Sequence, residues 1–183
     1  MKAIAAAILA VAFTVIATPA RAVEEEKHLG VDLGAAMLVL KDQSAPDLGP
    51  AMGGHFTYGL TDAFNLMAEG TFSIVSFSTP SDPRAPKTLP AWTANADVGV
   101  GYVFDVLRWV PYAGLLVGGY ALSGGTLGGV KILPGAEIAL GLDYRVDRSL
   151  SVGVALRQHW LTEQTTYPSF SQALARVEYS WGW

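Results

Sequence analysis

The stretch Ala173-Leu-Ala-Arg-Val-Glu-Tyr-Ser-Trp-Gly-Trp183 alternates without interruption and finishes on an aromatic residue. Side chains of a strand point to opposite faces in turn, so Ala173, Ala175, Val177, Tyr179, Trp181 and Trp183 share one face. Leu174, Arg176, Glu178, Ser180 and Gly182 share the other. One face is apolar and aromatic while the other carries charge. A frayed tail has no reason to keep such a pattern, whereas a strand standing between two different solvents does. The fold follows from which solvent each face meets.

The opposite end of the chain bears on the compartment. Lys2, an uncharged apolar stretch from Ala3 to Ala17, Pro19 and the small-x-small ending Ala20-Arg-Ala22 have the form of a removable secretory signal, assigned to residues 1–22. The apolar stretch is shorter than the roughly 20 residues that span a bilayer as a helix. Export through the Sec pathway is therefore expected, followed by a short periplasmic segment at 23–27 and one domain at 28–183. The chain has no cysteine, so its stability must rest on backbone hydrogen bonding and packing rather than on disulfides. Against 16 acidic side chains there are 12 Lys and Arg, and the signal removes two of those, Lys2 and Arg21. That acidic balance gives no reason to expect a nucleic acid partner.

Read with a period of two, the mature chain contains eight strand-like runs. They cover about His28–Leu40, Ala51–Leu60, Phe64–Phe77, Trp92–Asp105, Val110–Leu122, Val130–Val146, Ser149–Leu161 and the terminal run. Most set Leu, Val, Ile, Phe and Ala against Gly, Ser, Thr and charged residues. The fifth is nearly all apolar and its phase is not readable. Most runs reach the roughly 9 to 11 residues that a tilted strand needs to cross a bilayer. Their connections alternate between tight turns, at Thr61–Ala63, Val106–Trp109 and Asp147–Arg148, and longer loops, at Lys41–Gly49, Ser78–Ala91, Ser123–Gly129 and Thr162–Pro168. An even strand number with short periplasmic turns and longer outer loops is the rule for transmembrane barrels.

The tryptophans are consistent with this reading. Trp109, Trp181 and Trp183 fall at turn-side strand ends and Trp92 and Trp160 at loop-side ends, as two interfacial girdles require. A soluble eight-stranded barrel with a ligand cavity would also alternate, but it would bury the apolar face. Here the opposite side is small, polar and rich in glycine and serine, which suits a narrow interior. The expected fold is all-β: an eight-stranded antiparallel up-and-down transmembrane β-barrel, closed so that no strand edge meets lipid unpaired.

The signal, the eight alternating strands, the turn and loop parity, the strand start Pro111-Tyr-Ala-Gly114 and the aromatic carboxyl terminus together resemble small Gram-negative outer-membrane barrels of the OmpA-transmembrane-domain and OmpX type. The likeness covers the whole mature chain. It implies an outer-membrane location, a monomer, and a wall in contact with lipid and lipopolysaccharide. It also implies recognition by the barrel-assembly machinery, for which Val177-Glu-Tyr-Ser-Trp-Gly-Trp183 looks like the assembly signal, with Val177, Tyr179, Trp181 and Trp183 on its aromatic face. In the family that signal usually ends in Phe; Trp183 departs from this but keeps the aromatic character. The peptidoglycan-binding domain of full-length OmpA has no counterpart here, so its tethering role does not carry over.

Enzymatic and metal chemistry is not expected. His28, His55 and His159 have no second His or Cys at ligand spacing, and neither a Gly-x-Ser-x-Gly elbow nor a phosphate loop is present. No cofactor or metal is therefore assigned. His55-Phe-Thr57 is similar to the His-x-Ser of lipid A deacylase barrels, but Thr replaces Ser, the strand is an early one and His55 points inward rather than at lipid. The charges on the inward faces are Asp32, Glu69, Asp97, Glu137, Asp143 and Glu178 beside Arg145, Arg157, Arg176, His55 and His159. Confined charges must pair. Asp97, Glu137, Arg157, Arg176, Glu69 and Glu178 are expected to form an ion-pair network, with Glu137 and Asp97 neutralising Arg157 and Arg176. The functional expectation is a non-enzymatic barrel with a side-chain-filled lumen that contributes to envelope integrity and presents four loops outside. The alternative is a narrow ion or small-solute channel.

Overall fold

A computed structural model describes residues 25–41, 46–75, 90–104, 108–125, 127–163, 165–167 and 169–182. The signal 1–22, the proline-rich stretch within Ser78–Ala91 up to residue 89, and Trp183 lie outside them. Eight strands follow one another: β1 (Lys27–Val39), β2 (Asp47–Gly59), β3 (Phe64–Ile74), β4 (Trp92–Val103), β5 (Trp109–Ser123), β6 (Lys131–Arg145), β7 (Leu150–Leu161) and β8 (Ser169–Trp181). Each pairs antiparallel with its neighbour, and β8 returns to β1 to close the barrel. The described residues contain no helix long and apolar enough to cross a membrane.

The alternation sorts the side chains as the pattern requires. Leu29, Val31, Leu33, Val98, Val100, Leu140, Val154, Leu156, Val177 and Tyr179 stand exposed on the outer wall, while Asp32, His55, Glu69, Asp97, Glu137, Arg157 and Arg176 are buried inside. β5, whose phase its composition hides, turns Leu115 and Val117 outward and Tyr112, Leu116, Tyr120 and Leu122 inward. The aromatic rings collect at the wall's two rims. Trp109 and Tyr144 are rung partners with ring centroids 4.9 Å apart, and Tyr179 stacks on Trp181 at 6.0 Å, both at the turn side. Phe72 and Trp92 meet at 5.8 Å at the loop side, where Trp160 is also exposed.

Two strands begin earlier than their sequence suggests: β2 at Asp47 rather than Ala51, and β8 at Ser169 rather than Ala173. Pro50 explains the first shift. It looks like loop punctuation, yet it sits in β2 opposite Ala35 of β1. On its other side the ladder with β3 has already ended at Ala51–Ser73, so no neighbour asks for the N–H that proline lacks. Pro111 and Pro134 also stand at ladder ends, where each accepts a neighbour's N–H at its carbonyl, from Phe104 at 2.8 Å and from Thr162 at 3.1 Å, without returning one. The last rung of β4–β5 is Val103–Tyr112 and that of β6–β7 is Gly135–Leu161, each one residue from a proline.

The interior differs from the uniformly small, polar lumen that the sequence suggests. Its loop-side third is an apolar plug in which Leu38, Val75, Leu122, Leu161 and Phe170 are fully buried beside Tyr120. Tyr167, from the β7–β8 connection, folds over the mouth and is buried with them. Thr166 and Tyr167 return their N–H groups to Glu163 O, and Glu163 pairs with Lys131 at the start of β6. Where a loop covers the barrel mouth, the inward positions behave as a soluble protein's core, and large apolar residues are favoured there.

Candidate functional site: the charged lumen

Beneath the plug, β1, β2, β7 and β8 supply a continuous cluster of charge. Its centre is Asp32 on β1. Arg157 Nη2 donates to Asp32 Oδ2 at 2.9 Å, His55 Nδ1 lies 3.0 Å from Oδ1, and Arg176 Nε is 3.7 Å from Oδ1. Asp32 and Arg157 are both fully sequestered from solvent. The placement follows from strand register, since Asp32 is the rung partner of Arg176 across β1–β8. His55 fits because Gly30 faces it across β1–β2, and a Cβ at Gly30 would run into the imidazole.

Arg157 completes its coordination with Glu69 Oε2 at 2.9 Å and a more distant contact to Glu137 Oε1 at 3.7 Å. Arg176 donates to Glu178 Oε2 at 3.2 Å, lies 3.7 Å from Asp143, and rests its guanidinium 4.7 Å from the Tyr112 ring centre. Glu178 also approaches His55 Nε2 at 3.1 Å and His28 Nδ1 at 2.9 Å. Toward the turns, Glu26 lies 3.6 Å from His28 and 3.8 Å from Arg145. At this end a cavity of about 40 Å³ opens between His28, Asn65, Tyr112, Asp143 and Arg176. It has room for a few waters.

This arrangement departs from the expected pairing. Arg157, Arg176, Glu69 and Glu178 do engage one another through Asp32, which the expected network omits. Asp97 pairs with neither arginine directly: its Oδ2 accepts the Asn95 amide at 2.6 Å, and it borders Tyr120. Glu137 stands at the edge of the Arg157 contacts and faces Glu69 and Asp97. The reason is stagger. Heights counted from the turns bring Asp97 level with the arginines, but Asp97 is on β4, across the lumen from β8, and Asp32 is already the rung partner of Arg176. Inward position alone was available from the sequence; adjacency was not.

A further group of donors comes together here. Asp97, Glu137 and His159 approach so closely that one ligand atom from each lies within 4.8 Å of the others. Histidine spacing along the chain cannot reveal this, because the three residues sit on three strands. His55 and Thr57, the pair that is similar to a deacylase motif, both point inward, and His55 is occupied by Asp32 and Glu178. Val177, Tyr179 and Trp181, expected to belong to an assembly signal, form an outward stripe on β8, and Trp183 lies outside the described residues.

Comparison with solved structures shows the same fold at low identity. The crystal structure of Neisserial surface protein A is 14% identical, with a TM-score of 0.66 over 85% of this chain and 99% of that one. Ail, the attachment invasion locus protein of Yersinia pestis, is 11% identical with a TM-score of 0.59, covering 87% and 100%. The N-terminal β-barrel domain of Pseudomonas aeruginosa OprF is 15% identical with a TM-score of 0.55, covering 83% and 97%. No curated protein sequence matches. A family model described as outer membrane protein beta-barrel domain matches residues 8–180, nearly the entire chain, and the protein belongs to that family of outer-membrane barrels.

Proposed function

We propose that the protein is a non-enzymatic, non-conducting barrel of the outer membrane that reinforces the envelope and presents its four longer connections to the outside. The observation that carries this reading is the filling of the lumen at two levels. An apolar plug of Leu38, Leu122, Tyr120 and Phe170 lies over the charged layer around Asp32 and Arg157. An ion crossing the barrel would have to leave water at the plug and break a buried ion pair below it, and each costs several kcal/mol. The order of the layers also supports the orientation, with loop-side closure facing the medium and the water-sized cavity facing the periplasm. In this reading the chain reaches its membrane through the Sec pathway, is inserted by the barrel-assembly machinery through the Val177, Tyr179 and Trp181 stripe, and acts as a monomer amid lipid and lipopolysaccharide.

Planar-bilayer recording of the folded protein tests the proposal. Closed traces at all applied voltages are expected. A steady, ion-selective unitary conductance from the wild-type monomer would replace this reading with that of a narrow channel.

A further inference from the structure

We propose that the lumen binds a divalent transition-metal cation on Asp97, Glu137 and His159. The three come from β4, β6 and β7. Glu137 and His159 are rung partners, so their proximity follows from register. Asp97 is separated from β6 by the whole of β5, and Gly118 lets it reach across. This glycine is the rung partner of Asp97 on one side and of Gly135 on the other. A Cβ at Gly118 would occupy the space of the Asp97 carboxylate. The wall is thus hollowed where the Asp97 carboxylate converges on those of β6.

Four atoms of this group lack partners. Asp97, Glu137 and His159 are 2%, 1% and 0% exposed. Asp97 Oδ1, both oxygens of Glu137 and His159 Nε2 have no hydrogen-bond partner. His159 is held firmly, stacked on Phe170 at 4.6 Å, with Tyr120 Oη 3.0 Å and Glu137 Oε2 3.3 Å from its Nδ1. Charge balance points the same way. Glu69, rung partner of Asp97, adds a third carboxylate, and the guanidinium that meets this group is Arg157, which Asp32 shares. Three carboxylates against one shared guanidinium leave an excess of two negative charges beneath an apolar seal. Such an excess must be protonated or countered. One divalent cation supplies both charges and takes up the orphaned lone pairs together.

The donor set narrows the ion. One imidazole with carboxylate oxygens suits Zn²⁺, Mn²⁺ or Fe²⁺, and the absence of thiolate removes any preference for Cu(I). Ca²⁺ asks for six to eight oxygens and Mg²⁺ for a near-octahedral oxygen shell, neither of which these side chains offer.

The test folds the full chain into detergent micelles with ZnSO₄ present throughout, so that entry to the lumen is not at issue. Gel filtration then removes free metal, and zinc is counted by mass spectrometry. The wild type should retain one zinc per barrel, and an excess of CaCl₂ should not displace it. Glu137→Gln and His159→Gln, with folding verified by β-sheet circular dichroism, should retain roughly tenfold less or lower still. Asp143→Asn, a lumen carboxylate outside the site, should retain zinc in full. Folding the wild type with Co²⁺ gives a readout that needs no variant: visible d–d absorption that Zn²⁺ abolishes. A metal-free wild type after folding with zinc, undiminished zinc in Glu137→Gln, displacement by calcium, or a featureless cobalt spectrum would each overturn the proposal.

Discussion

Replacing Asp32 by alanine withdraws the carboxylate on which three basic side chains converge. Two of its contacts are charge-assisted and within hydrogen-bond distance, to Arg157 at 2.9 Å and to His55 at 3.0 Å. Bonds of this kind contribute about 1.5 to 3 kcal/mol each. The third, to Arg176 at 3.7 Å, is Coulombic only. None of the three is wholly abandoned, because Glu69 still holds Arg157 and Glu178 still holds His55 and Arg176. The loss should therefore fall at the low end of the sum, about 3 kcal/mol, which also lies within the usual range for a broken buried pair. Glu137→Gln provides the contrast. Its carboxylate makes no hydrogen bond to Arg157 and faces other carboxylates, so in metal-free buffer its neutralisation should leave stability unchanged or raise it. Equilibrium urea unfolding in detergent with chelator present, followed by tryptophan fluorescence, measures both. The reasoning fails if Asp32→Ala unfolds within about 1 kcal/mol of wild type, or if Glu137→Gln loses as much as Asp32→Ala.

Two further predictions concern the wall and a turn. Val154 is 57% exposed on the outer face of β7, so Val154→Arg places a cation in hydrocarbon and should cost about 2 to 4 kcal/mol in lipid vesicles; wild-type stability would mean that the outer face of β7 does not meet lipid. In the β6–β7 turn, Asp147 accepts the backbone N–H of Ser149 at 2.7 Å and of Leu150 at 2.9 Å, and these bonds hold its carboxyl below the usual carboxylate range. A depressed folded-state value means the contribution is complete above the unfolded value near 3.9 and is lost as pH falls through the folded one. Asp147→Ala should thus unfold at lower urea than wild type at neutral pH, and the gap should close on strong acidification; a gap independent of pH would refute the capping role.

The strands, their order and the outward face were legible because a period of two is imposed by geometry on both sides of the wall. Legibility failed where that contrast disappears. β5 could not be phased because its inward residues Leu116, Tyr120 and Leu122 serve an apolar plug while Leu115 and Val117 serve lipid, so both faces are apolar. Tyr167 belongs to the plug from a connecting segment, and no periodicity announces it. The charged lumen was legible as a list and illegible as a map. Arg157 finds Asp32 and Glu69 rather than Asp97 because partners across a narrow barrel depend on stagger, which no single strand encodes. The convergence of Asp97, Glu137 and His159 depends on the same stagger, and on a glycine in a fourth strand.

The three prolines inside strands bear on how the chain finds its shear. Pro50, Pro111 and Pro134 each stand one residue beyond the last rung of a different seam: β2–β3, β4–β5 and β6–β7. Those are the three hairpins closed by short turns. At Pro111 and Pro134 the neighbour's N–H still reaches the proline carbonyl, from Phe104 at 2.8 Å and from Thr162 at 3.1 Å, but the proline nitrogen has no hydrogen to return, so each ladder stops there. In hydrocarbon a carbonyl facing that nitrogen has no water to fall back on. A slide of one strand by one residue would also turn that strand's inward side chains toward lipid. The prolines thus act as stops on three of the eight sliding joints, each fixing the register of its own hairpin before that hairpin meets its neighbours.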